Sequence, residues 1–111
     1  MLPSKSFDVL LYRNHRDHSP FQEWFEELDV SAARKVTAAV VRFECGNFSD
    51  SKNLNGGIWE RRIHFGPGYR IYYGLDLQRL VILLTGGTKK TQSVDIKKAR
   101  VMWYDYKTNT R

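Results

Sequence analysis

The sequence predicts an α+β fold, a twisted and mostly antiparallel sheet with helices packed on one face, in the order β-α-α-β-β-β-α. Three observations predict it. A short apolar segment near the N-terminus is followed by two stretches with apolar residues at helical spacing. Three strand-like segments separated by turn formers fill the middle, and a third helical pattern closes the chain. At 111 residues the chain is expected to make one domain, residues 1–111, with no repeat, low-complexity tract or linker.

Residues Phe7 to Tyr12 read as the first strand, and Arg13 to His18 as a polar connection. Ser19-Pro20-Phe21-Gln22 then has the form of a helix start, with Ser19 as cap, Pro20 in the first turn and Gln22 placed to close a capping box. Phe21, Trp24, Phe25 and Leu28 follow on one face. The second helix is expected from Ser31 to Cys45, with Ala33, Val36, Val40 and Phe43 as its apolar stripe and Gly46-Asn47 as its stop. Phe48 to Gly57 reads as a loop carrying Lys52.

Three strands are expected next: Ile58 to Phe65, Tyr69 to Leu75, and Arg79 to Thr85, joined closely enough to form an antiparallel meander. Gly86-Gly87 is expected to break the last of these. A final helix beginning near Gln92 buries Ile96, Ala99, Trp103 and Tyr106. The first strand pairs with one of the later three; the sequence leaves open which.

Charge is unevenly distributed. Residues 1–51 hold six Lys/Arg against eight Asp/Glu, whereas residues 52–111 hold twelve against four, which together give the net charge of +6. A basic half with arginines and aromatics interleaved on strands suits a polyanion, because it can neutralise phosphates and stack bases on one surface. No apolar run approaches the roughly 20 residues needed to span a bilayer, and no signal-peptide h-region precedes Phe7. A single cysteine, Cys45, excludes an intramolecular disulfide. Cytoplasmic residence is the expectation.

Strand alternation sorts the meander into two faces. Trp59, Arg61, Ile63 and Phe65 point one way, and Ile58, Glu60, Arg62 and His64 the other. A hairpin folded symmetrically about Pro67 pairs residue 65 with 69, 64 with 70, 63 with 71, and 62 with 72. Phe65–Tyr69 and Ile63–Ile71 then face the helices, Arg61 lies opposite Tyr73 as a cation–π cover, and Arg62, His64, Arg70 and Tyr72 form one square. A bulge would shift that register by one and separate them.

Such a square suits a phosphodiester. Cleavage of RNA by its own 2′-hydroxyl needs a base, cations to stabilise a five-coordinate phosphorus, and an acid for the leaving oxygen. Arg62 and Arg70 suit the stabilising role, and His64 suits proton transfer near neutrality. Tyr72 suits stacking on a base. Lys89 or Lys90, with the N–H groups that open the last helix, suits a second phosphate. The plainer alternative is that strand arginines are solvated charges or partner contacts, and that Gly86-Gly87-Thr88-Lys89-Lys90 is a turn that does not match a Walker A loop. His15 and His18 lack further ligands nearby, so neither a metal nor a cofactor is expected.

Taken together, Gly46-Asn47-Phe48, Lys52, Glu60-Arg61-Arg62-Ile63, Gly66-Pro67-Gly68-Tyr69-Arg70-Ile71-Tyr72-Tyr73, Leu83 through Gln92, Asp95-Ile96 and Ala99 resemble the RelE/ParE toxin superfamily. The likeness is to its HigB-like, phage-related "addiction module killer protein" branch, over about residues 20–106. The resemblance implies a microbial-ribonuclease-like fold and a type II toxin that cleaves mRNA on the ribosome. It also implies a cognate antitoxin, often a helix-turn-helix protein. Carried over, the basic strand residues are Arg62 and Arg70, with Lys52 and Lys89 as phosphate contacts. After Gln92 come Ser93, Val94 and Asp95, without the C-terminal catalytic Tyr or His of some members. The same superfamily contains gyrase poisons, so a gyrase inhibitor and an inactive RNA-binding relative are the competing functions.

Overall fold

The computed structural model describes residues 6–77 and 79–109. Strand β1 (Asp8–Leu11) leads to helices α1 (Pro20–Glu26) and α2 (Val30–Glu44). A short strand β2 (Ser51–Asn53) precedes β3 (Ile58–Ile63), β4 (Tyr69–Asp76) and β5 (Leu80–Thr88), and a single 3-10 turn (Lys89–Thr91) runs into helix α3 (Gln92–Asn109). The strands form one sheet in the order β1-β5-β4-β3-β2, antiparallel except for β1, which lies parallel to β5. The α+β expectation therefore holds, and the partner left open for the first strand is β5.

Local chemistry explains the helix starts. The Ser19 hydroxyl accepts the Gln22 amide at 3.1 Å, and the Asp29 carboxylate accepts the Ala32 amide at 2.8 Å, each satisfying a donor that the helix itself leaves orphaned. Gln22 does not close a capping box; its side-chain amide donates to Glu26 instead, at 3.1 Å.

The two early helices cover one face of the sheet, as expected. Phe21, Val36, Ala39 and Phe43 bury against Ile63, Ile71, Tyr73, Val81 and Leu83. The Phe43 and Tyr73 rings sit 4.5 Å apart, close enough for ring contact to add to the area removed from water. Helix α3 crosses the opposite face. Its Ala99 and Trp103, with half-buried Ile96 and Tyr106, pack on Ile58, Tyr72, Ile82 and Leu84.

Three further sequence expectations need correction. Residues 48–57 contain the edge strand β2, whose Lys52 lies opposite Glu60. Gly86-Gly87 does not break the third strand but lies inside β5. A Cβ at Gly86 would come within 2.2 Å of Trp24, and one at Gly87 within 1.9 Å of the Asp95 carboxylate, so these glycines admit close packing on both faces rather than a turn. A bulge in β5 opposite the Tyr72/Tyr73 step keeps each of them on its proper face.

The third correction concerns the hairpin. Ile63 pairs with Tyr69, Arg62 with Arg70, Arg61 with Ile71, Glu60 with Tyr72 and Trp59 with Tyr73. Residues 64–68 form the turn, closed by the Gly68 amide on the Phe65 carbonyl at 3.0 Å, with positive φ at Gly66 and Gly68. The ladder thus ends earlier than a symmetric fold about Pro67 requires. The Phe65–Tyr69 pair does not form, and Arg61 does not face Tyr73. The slip is two residues, so every side chain that remains on the paired strands keeps its expected face.

Candidate phosphate-binding face

Beyond the apolar part of α3, the same sheet face turns polar. Arg62 and Arg70 lie directly opposite each other on β3 and β4, with Glu60 opposite Tyr72 in the next row on that face and Lys52 beyond Glu60 on β2. Arg62 and Lys52 are exposed; Glu60 and Tyr72 are fully buried.

Glu60 is the centre of this arrangement. Its Oε2 accepts the Gln92 side-chain amide at 2.7 Å and the Tyr72 hydroxyl at 3.3 Å. Arg70 Nε lies 4.0 Å from the same oxygen, too far for a hydrogen bond. The Arg70 side chain is about one-tenth exposed, and its Nε finds no hydrogen-bond partner among the described residues. A buried guanidinium beside a carboxylate it does not fully engage keeps capacity for another anion.

The predicted site residues separate accordingly. Arg62, Arg70 and Lys52 come together on one face. Tyr72 shares that face, but its ring is fully buried, so it cannot stack on a base as expected; burial first, then the Glu60 and Asp95 charges, push its phenol well above the usual range. His64 leaves the square. It follows the last paired residue of β3, is exposed, and lines a depression on the α2 side with Lys35, Arg42 and Arg61. Lys89 and Lys90 are exposed in the 3-10 turn. The Lys89 amide donates to the Gly68 carbonyl at 2.9 Å and the Thr88 amide to the Thr91 hydroxyl at 3.3 Å. Of this turn, the lysine side chains are therefore better placed for a phosphate than those two amides.

Strand alternation puts Glu60 on the right face but suggests no role for it, and nothing local gives Gln92 a partner. The signal present in the sequence is a carboxylate within an otherwise cationic strand row. Its interpretation needs the contact from Gln92, 32 residues away, which no local pattern encodes.

A family model described as phage derived protein Gp49-like matches residues 23–103. The chain belongs to the Gp49-like family. An uncharacterized protein of Haemophilus influenzae (strain ATCC 51907 / DSM 11121 / KW20 / Rd) is 45% identical over 83 residues, which cover 74% of this chain and 84% of the relative. This Gp49-like protein thus falls in a phage-derived, toxin-like family, and it carries its arginine pair inside the matched region. Among the described residues, no helix is long and apolar enough to cross a membrane.

Proposed function

We propose that this Gp49-like protein is the toxin of a type II toxin–antitoxin pair, a cytoplasmic endoribonuclease that cleaves mRNA on the ribosome and is restrained by a cognate antitoxin. The observation that carries the reading is the direct opposition of Arg62 and Arg70, with Arg70 held over the buried Glu60. Two guanidinium groups side by side suit the extra negative charge that develops when a 2′-hydroxyl attacks the adjacent phosphorus. Lys52 and Lys89 take flanking phosphates, and Glu60 with Gln92 holds the Arg70 side. His64, at the hairpin tip, is not asked to act beside Arg70. Catalysis by the chain then rests on charge stabilisation and on in-line placement of the substrate's own nucleophile, with water taking the 2′ proton and supplying one to the leaving 5′-oxygen as the P–O5′ bond breaks.

Induction in a host lacking the antitoxin, followed by mapping of transcript 5′ ends, tests this. New ends within translated messages are expected with the parent. They should vanish with Arg70→Ala and with Arg70→Lys, the latter retaining a cation beside Glu60 while removing the planar fork. Intact messages together with gyrase-linked DNA breaks would instead establish the gyrase-inhibitor alternative.

A further inference from the structure

The hairpin tip carries a second cationic hollow, on the sheet face opposite Glu60. A depression of about 300 Å³ is lined by Lys35 and Arg42 of α2, by Asp50, and by Arg61, Arg62 and His64 of the hairpin. Lys35, Ala38 and Arg42 follow one another at three and four residues, so they form one stripe of α2. The small Ala38 at its centre also lines the hollow, leaving room between the two cations.

Arg61 forms the floor. Its side chain is 8% exposed, and its only carboxylate partner among the described residues, Asp50 at 3.4 Å, is itself more than half exposed. One nitrogen donates to the Arg62 carbonyl at 3.0 Å, while Nε is buried with no partner among the described residues. Four Lys and Arg side chains therefore meet a single, solvent-screened carboxylate. Their mutual repulsion is relieved by an anion seated in the hollow.

We propose that this hollow is a second phosphate subsite for a single RNA strand, which runs from the Arg62–Arg70 pair across the edge of β3 onto α2. The identity of the ligand rests on the ribonuclease reading; the affinity for an anion does not. Three observations favour a nucleic-acid strand over an acidic peptide. Arg62 is shared, lying opposite Arg70 and also lining the hollow, which makes the cationic path continuous. β2 pairs with β3 as far as Arg61, and beyond it the Asp50 carbonyl accepts the Arg62 amide at 3.0 Å; no strand of the sheet flanks the hairpin past that bond, and the passage lies there. Phe65 at the tip is 36% exposed with Lys35 Nζ 5.3 Å from its ring centroid, pairing an aromatic face with a cation as a base and its phosphate require.

The test measures fluorescence anisotropy of a ten-nucleotide RNA, 2′-O-methylated throughout so that it cannot be cut, across a series of KCl concentrations. Lys35→Gln/Arg42→Gln changes two exposed positions, and circular dichroism checks its fold. Its affinity should fall on the order of tenfold, and the salt slope by about 0.7 for each phosphate that is no longer neutralised. Affinity and slope equal to the parent's overturn the subsite. If Arg70→Ala loses the probe while the double variant does not, the subsite fails and the ribonuclease reading stands. If only the double variant loses it, the subsite stands and the proposed active face fails. If the double variant keeps the probe but no longer retains the antitoxin in a pull-down, an acidic protein occupies the hollow and the subsite is refuted.

Discussion

Helix α3 spans the sheet between two buried carboxylates, and its two ends serve them differently. At the C-terminal end Asp76 accepts the Tyr106 hydroxyl at 2.8 Å and the Lys107 ammonium at 3.1 Å. At the N-terminal end Glu60 accepts Gln92 and Tyr72, but its nearest described guanidinium, Arg70, stays 4.0 Å away with Nε unpartnered. Asp76 is answered in charge and in hydrogen bonds within the chain, so its cluster secures the fold. The Glu60 cluster leaves Arg70 Nε unpartnered among the described residues, and on the proposed ribonuclease reading this guanidinium meets the substrate phosphate. The same helix thus ties down structure at one end and borders the proposed site at the other.

The largest effect that can break this comparison is at Arg70. Arg70→Ala should lower message cleavage by roughly 10²–10³-fold, the loss typical of one preorganised charge-stabilising donor, while far-UV dichroism stays that of the parent. Cleavage at the parent rate would leave the Glu60 end without its assigned purpose. Next in size, Asp76→Ala should destabilise the protein by about 1–3 kcal/mol, read as a shifted urea midpoint, with growth arrest unchanged wherever the protein is folded.

Asp76 also has a pH signature. Burial raises its pKa, but the Tyr106 and Lys107 hydrogen bonds and the Lys107 charge outweigh burial and leave it below the ordinary aspartate value of 3.8. A depressed carboxylate contributes stability that is present above its unfolded pKa and lost as pH falls through the folded one. Asp76→Asn should therefore flatten the decline in stability below about pH 4; an unchanged acid profile would remove this carboxylate from the account.

Glu60→Gln keeps the shape and removes the charge beside Arg70. Cleavage should fall roughly tenfold, with stability shifted by less than about 1 kcal/mol, because a neutral amide still bonds its neighbours. Equal activity combined with a stability loss matching that at Asp76 would make the two ends alike. The smallest effect is alkaline. Tyr12 and Tyr106 are pushed up to about 12, by burial first and then by their bonds to Asp105 and Asp76. Phenols with a raised folded pKa contribute stability below the unfolded value near ~10 that is lost as pH rises through the folded one. The urea midpoint should decline between about pH 10 and pH 12, less so in Tyr106→Phe.

Much of this is legible in the residues. Alternation alone puts Arg62, Arg70, Tyr72 and Glu60 on one side of the meander, and a two-residue slip cannot change that. The slip does change which residues remain on the strands. His64 passes to the turn because the closing bond runs from Gly68 to Phe65, a geometry that Gly66-Pro67-Gly68 permits without specifying. Gly86 and Gly87 resemble a break in sequence because their role lies in what approaches them, Trp24 from one side and Asp95 from the other. Tyr72 has the makings of a stacking platform until α3 is in place above it.

Periodicity, capping residues and charge placement act over a few positions, and so the linear chain by itself determined the helices and the four longer strands, the two-faced strands and the concentration of cations beyond residue 51. Contacts between residues far apart in sequence decided the rest: β1 beside β5, Gln92 on Glu60, α3 over Tyr72, and Arg61 beneath Lys35 and Arg42. Which arginines are exposed, buried or left without a partner depends on desolvation by distant segments, and that quantity comes into being only when the chain has closed on itself.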